Sequence, residues 1–253
     1  MYRFLLRPRW IAAHLMIIAI AALFISLGFW QVERLGQRRV EIAVIESQSR
    51  KMPAPLEQLL PSAADSPKGR AQHAFRRATV EGVFDPEREV LLEGRSDLGR
   101  PGSHLLTPLM IKPGLAVVVD RGWVPMDLSE PPIVQAGPPT GRVALTGVLL
   151  PPQPRTGLGP KDPPTGPVKR VQRVDLARLD QQLPYRVLPL VLRLEEQVPR
   201  NPGPLPKVSA SPKPGEGSHL SYAVQWFSFA AIVAATYLFF IRRHASDRTK
   251  QTD

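Results

Sequence analysis

His219, Tyr222, Trp226 and Phe229 lie three, four and three residues apart, so on a helix they share one face. An imidazole beside three aromatic rings can hold a flat apolar macrocycle with a metal at its centre, the neutral ring nitrogen serving as axial ligand. Ser218, Ser221, Gln225 and Ser228 form a neighbouring polar stripe, and polar side chains in a membrane helix seek a partner on another helix. Earlier in the chain, Trp30, Gln31 and Arg34 offer a ring, an amide and a guanidinium, the last suited to carboxylates. An imidazole, aromatic surface and a carboxylate-binding cation together match the chemistry of haem, with His219 as iron ligand. The same rings also suit a bare membrane interface, where Tyr and Trp gather, and both readings stand on the sequence.

Other chemistries find less. The chain has no cysteine, which excludes disulfides, thiolate nucleophiles, CxxC redox pairs and covalent c-type haem attachment. His14, His73, His104, His219 and His244 show none of the spacings of a protein-only zinc site. There is no GxSxG elbow, P-loop or GxGxxG. Asp120 and Arg121 could be drawn as a catalytic pair, but two adjacent charges ending an apolar strand read first as a structural ion pair. His14, one turn into an apolar run, is read as reaching the headgroups.

Two apolar runs must position the haem-like cluster. Tyr222 to Ile241 carries no charge over 20 residues, enough to cross a bilayer, and Arg242, Arg243, Arg248 and Lys250 follow it. Trp10 to Trp30 is a second run behind Arg3, Arg7 and Arg9. A cleaved leader is the rival reading of that run, but Ala19-Ile20-Ala21 lies inside it and large residues end it, so a retained anchor is expected. The organisation expected is therefore a cytoplasmic N-terminus at 1–9, a first transmembrane helix at 10–30, an external, periplasmic-side domain at 31–218, a second transmembrane helix at 219–241 and a cytoplasmic tail at 242–253. The spans must pack antiparallel, which brings Trp30, Gln31 and Arg34 level with His219, Tyr222 and Gln225.

Between the spans, Val32, Leu35, Val40, Ile42 and Ile45 continue a helical spacing to about Gln48. Alternation then marks strands at 75–84, 89–92, 105–111, 115–124, 142–150 and 168–174, the first two joined by an Asp85-Pro86 turn. Asp175 caps a short helix over 176–183, and Arg186 to Leu194 returns to strand with an edge or bulge at Pro189. The fold class is thus a membrane protein with two transmembrane helices flanking a strand-dominated α+β domain, a small antiparallel sheet or partial barrel plus a short helix. The 29 prolines impose long irregular connections. A net charge of +11 sits beside the spans or among prolines rather than in a compact stripe with aromatics, so nucleic acid is discounted as a partner.

Three stretches are similar to motifs of the surfeit locus protein 1 family: Leu27-Gly28-Phe29-Trp30-Gln31-Val32-Glu33-Arg34, Asp120-Arg121-Gly122-Trp123-Val124-Pro125, and His219-Leu220-Ser221-Tyr222-Ala223-Val224-Gln225-Trp226-Phe227. Gly82 fits the family's early glycine. The resemblance implies a non-enzymatic assembly factor for cytochrome c oxidase that assists delivery of haem a or stabilises the catalytic subunit during maturation. Its implied partners are that subunit, the haem a synthesis machinery and the lipid bilayer. It implies haem a held transiently at His219, with Tyr222, Gln225, Trp226, Trp30, Gln31 and Arg34 around it. A domain without a catalytic constellation suits a docking surface, and the strand through Arg121, Gly122, Trp123 and Pro125 reads equally as that surface or as a core strand ending at a Gly-containing turn. A start without the Ser-rich amphipathic pattern of a transit peptide favours a bacterial plasma membrane, both termini cytoplasmic. The alternative is a membrane-anchored structural or signalling protein whose domain binds a protein partner. A membrane-anchored hydrolase is disfavoured for want of a nucleophile with a matching base.

Overall fold

A computed structural model describes residues 7–60, 67–153, 163, 166–209 and 215–250. The basic start before Arg7, parts of the proline-rich loops at 61–66 and 154–165, and the middle of the connector at 210–214 lie outside the described residues. The chain divides into a helical unit, Met1–Val44 with Pro214–Asp253, and a strand-rich unit, Ile45–Lys213.

The helical unit is built from α1 (Pro8–Ser49) and α5 (His219–Lys250), both long and apolar enough to cross a membrane. At 1.5 Å per residue the 42-residue α1 is roughly 60 Å long, about twice the thickness of a hydrocarbon core, so much of it extends beyond any bilayer. The helices pair antiparallel. Trp10 meets His244 at 5.1 Å between ring centroids, Phe24 meets Trp226 at 5.6 Å, and Gln31 meets His219 at 2.9 Å. His14 also accepts or donates across the pair, to the Tyr237 hydroxyl, so it is tied to the facing helix and does not reach out to headgroups. Gly28 makes room for the Phe227 ring of the facing helix, because a Cβ there would lie 2.6 Å from it. Gly28→Leu is expected to push α5 off α1, which cross-linking between the two helices would detect as a loss.

The strand-rich unit follows from the change to alternating pattern. β1 (Ala54–Pro55) and α2 (Leu56–Leu59) lead through α3 (Pro67–His73) into β2 (Arg77–Phe84), β3 (Val90–Asp97), β4 (Arg100–Lys112), β5 (Leu115–Pro125), β6 (Arg142–Leu150), β7 (Arg170–Val171), α4 (Leu176–Asp180) and β8 (Arg186–Val198). Across the sheet the order is β1-β2-β6-β8-β5-β4-β3-β7, and β2 also pairs with β4 through Val83↔Met110 and Phe84↔Leu109. That pairing closes β2, β6, β8, β5 and β4 into a small partial barrel. Gly82 permits the closure: a Cβ there would sit 2.4 Å from the Met110 carbonyl oxygen.

β5 is buried along nearly its whole length, which is why it reads as a continuous apolar run. Val117 and Val119 face the barrel interior with Ala78, Val80, Leu109, Leu145 and Leu192, while Val118 faces outward under Val168, Val171, Leu176 and Leu179. Asp175 caps α4 as expected, accepting from the Arg178 N–H at 3.2 Å.

Two expectations are corrected and one is borne out. β2 and β3 do not form a hairpin, since β2 pairs with β6 and β4. β8 is an interior strand, parallel to β5, and the bulge expected at Pro189 is present, as a register shift between the pairs Ala116↔Val187 and Val118↔Val191. The strand expected over 168–174 shrinks to two residues, because the Gln182 side chain takes both the N–H and the carbonyl of Val168, at 2.8 and 3.1 Å, in place of a ladder.

Candidate functional site

In the helical unit, His219 opens α5 and Gln31 lies on the facing helix, with His219 Nδ1 2.9 Å from Gln31 Oε1. An amide oxygen only accepts, so the imidazole must donate from Nδ1. Its proton is thereby fixed on that nitrogen, and Nε2 keeps a lone pair for a metal, the arrangement usual for ligating histidines. The turn before His219 is anchored to α1: Arg38 Nε donates to the Gly215 carbonyl at 3.1 Å, and Arg39 grips Glu216 through two bonds of 2.8 and 3.1 Å. The bond from Arg39 draws the exposed Glu216 carboxyl below its usual value.

Trp226 lies against Phe229, edge to face at 5.9 Å, and both rings pack on Phe24. This places part of the expected aromatic face at the helix contact. Tyr222 and Trp30 are about half exposed, at 47% and 49%, so their rings are available to an apolar ligand or to lipid. Arg34 lies over the Trp30 ring at 5.6 Å and donates to Gln37 at 3.2 Å, so its guanidinium is held along its own helix. Gln225 is exposed, and Ser228 bonds back to the Val224 carbonyl at 2.8 Å; the expected interhelical partners for the polar stripe are absent among the described residues.

The strand-rich unit holds two buried charged clusters. Asp120 and Arg121 are not paired with each other, because adjacent strand residues point to opposite faces. Arg121 faces the barrel interior over Phe84 and is fully buried, donating to Glu89 at 3.4 Å and to Asn201 at 3.2 Å. Glu89 accepts in addition from Thr107 at 3.0 Å and from the Ile133 N–H at 2.9 Å. Burial raises the Glu89 carboxyl, against the pull of Ile133, Arg121 and Thr107, and burial lowers Arg121 to about 10. Trp123 is buried too, with Lys207 over its ring at 5.4 Å. The proposed docking strand therefore turns its Arg121 and Trp123 side chains inward and does not present them as a surface.

Asp120 faces the other way, where its carboxylate lies 3.0 Å from His104 Nδ1 and 3.1 Å from Arg193 Nε. Burial alone would raise the Asp120 carboxyl, but the hydrogen bonds from His104 and Arg193 and the Arg193 charge outweigh it and hold the group below its usual value. Such a depressed acid stabilises the fold above its unfolded value, near 4, and that contribution disappears as pH falls through the lower folded value. Asp120→Asn is expected to flatten the acid limb of stability, read from urea midpoints between about pH 2 and 7. His104 also reaches Ser209, whose Oγ is 3.1 Å from Nε2. Glu89, His104 and Ser209 carry no local motif, so spacing could not reveal them.

A family model described as the SURF1 family matches residues 18–231. The chain is 30% identical over 233 residues to an uncharacterised SURF1-like protein of Mycobacterium bovis, covering 90% of this chain and 82% of that one. It is 26% identical over 245 residues to a SURF1-like protein of Monosiga brevicollis, at 92% and 88% coverage. It is also 26% identical over 240 residues to Surfeit locus protein 1 of Xenopus tropicalis, at 87% and 73% coverage.

Proposed function

The chain belongs to the SURF1 family, and from that premise we propose that it is an assembly factor for haem-a-containing cytochrome c oxidase. It works by holding rather than by turnover, receiving haem a from the synthesis machinery and keeping it available for the oxidase catalytic subunit. It sits in a bacterial plasma membrane with both termini in the cytoplasm. Two helices of membrane-spanning length and apolarity support this placement, as does the occurrence of relatives in bacteria.

The observation that carries the haem reading is the bond between His219 Nδ1 and Gln31 Oε1. It leaves Nε2 as the lone-pair nitrogen of an imidazole that is itself only half-buried. Haem needs one such ligand and a flat apolar bed, and the exposed faces of Tyr222 and Trp30 with the half-buried Trp226 fit the second requirement. Arg34 and Gln225, both exposed, are the groups available for the polar edge of the macrocycle. The haem is cargo, and its redox chemistry belongs to the oxidase that receives it.

Titrating purified protein with haem a should produce a Soret band that saturates, and His219→Ala should weaken binding at least ~10-fold. Gln31→Leu should cost about 10-fold or more, as losses of the group that orients a ligating histidine do. Full affinity in the His219 variant would remove the ligand assignment. Unchanged haem a and assembled oxidase in membranes lacking the gene would overturn the assembly role and favour a domain that binds some other protein partner.

A further inference from the structure

We propose that Ser209 is an activated nucleophile, an acyl acceptor in the strand-rich unit that is independent of the membrane site. Ser209 Oγ lies 3.1 Å from His104 Nε2, and His104 Nδ1 lies 3.0 Å from the Asp120 carboxylate. An ionised carboxylate only accepts, so Nδ1 carries the imidazole proton and Nε2 is left to take the serine hydroxyl hydrogen. This is the order nucleophile, base, orienting acid that activates a serine.

The groups arrive from separate elements. His104 comes from β4 and Asp120 from β5, and Arg193 of β8 holds the carboxylate from its other side at 3.1 Å. Ser209 is delivered by the segment that follows β8. That segment is fixed on β5 by two backbone bonds between Trp123 and Lys207, of 2.7 and 2.9 Å. His104 and Asp120 are buried at 6% and 3% exposure, whereas Ser209 is only half-buried, so a reagent can reach the hydroxyl while the base stays dry.

The nearby cations are already matched, Arg193 with Asp120 and Lys207 with Asp97 at 3.1 Å. Local charge is therefore balanced, and an uncharged, activated carboxylic ester is the substrate class that fits. In the reaction, Oγ bonds to the ester carbonyl carbon as its proton passes to His104 Nε2. The carbon to alkoxy or aryloxy oxygen bond then breaks, that oxygen takes the proton from His104, and the acyl group remains on Ser209.

The test uses the full-length protein in detergent micelles with p-nitrophenyl acetate. The expected result is a p-nitrophenol burst of up to one equivalent, with an acetyl group on Ser209 by peptide mass spectrometry. Ser209→Ala should abolish the burst, and His104→Gln should slow it about 100-fold, the scale of a lost general base. Replacing His104 risks unfolding a buried site, so a second variant is needed. The chain has no cysteine, so Ser209→Cys introduces a single thiol. Beside His104 its alkylation by iodoacetamide at neutral pH should run at least ~10-fold faster than in the same variant unfolded in urea. No burst, acetylation elsewhere than Ser209, or a thiol no faster folded than unfolded would each overturn the proposal.

Discussion

Replacing Arg121 with alanine is expected to lower the stability of the strand-rich domain by about 3–5 kcal/mol, the usual cost of removing one partner from a buried ion pair. Glu89 would remain at 4% exposure with only the Thr107 hydroxyl and the Ile133 N–H to satisfy it. The void left over the Phe84 ring adds to the loss. Part of the cost is relieved if Glu89 takes up a proton, and this gives the variant a diagnostic pH dependence. Burial already raises the Glu89 carboxyl, and without Arg121 it rises further. An acid whose folded value lies above its unfolded one, near 4.5, binds protons more readily when folded. Stability must then fall as pH rises from that value through the folded one. Urea unfolding of Arg121→Ala across that range should show the fall more steeply than the parent, and the double variant Arg121→Met, Glu89→Gln should recover much of the loss. Equal stability of parent and single variant at neutral pH would mean that the pair contributes nothing.

Gly122→Ala is the second large effect, expected to cost about 3 kcal/mol from backbone strain and lost hydrogen bonds together. Gly122 adopts a φ of +127°, which side-chain-bearing residues rarely adopt, and a Cβ there would lie 2.1 Å from the Lys207 carbonyl oxygen. That contact is with backbone, so neither side can turn aside. The Trp123 to Lys207 bridge must open, and with it the placement of Ser209 two residues further on. Thermal unfolding measures the first consequence. The second would appear as loss of the p-nitrophenol burst, whereas haem a binding, which depends on α1 and α5, should persist.

Much of the architecture was legible because it depends on local period and local chemistry. The uncharged run ending at Ile241 can only be satisfied by a helix of membrane-spanning length, and Asp175 caps α4 with the N–H three residues on. The β-branched run of β5 reads as a strand, and the structure buries it on both faces. The β3–β4 hairpin was not legible at its full length. Gly94, Gly99, Pro101 and Gly102 look like loop, yet Leu98 and Gly99 form the tight turn, and Gly102 fits because a Cβ there would lie 2.2 Å from the Val124 carbonyl oxygen.

The residue types and spacing of this chain were sufficient for its two apolar helices, its strand-rich middle and the histidine that opens the second helix, since each is decided within a few turns of chain. Tertiary structure alone decided which polar atoms meet. Gln31 and His219 are 188 positions apart, Ser209 and His104 are 105 apart, and Arg121 and Glu89 are 32 apart. A hydrogen bond needs its partners within about 3 Å, and sequence spacing sets no such distance until the barrel closes and the helices pair.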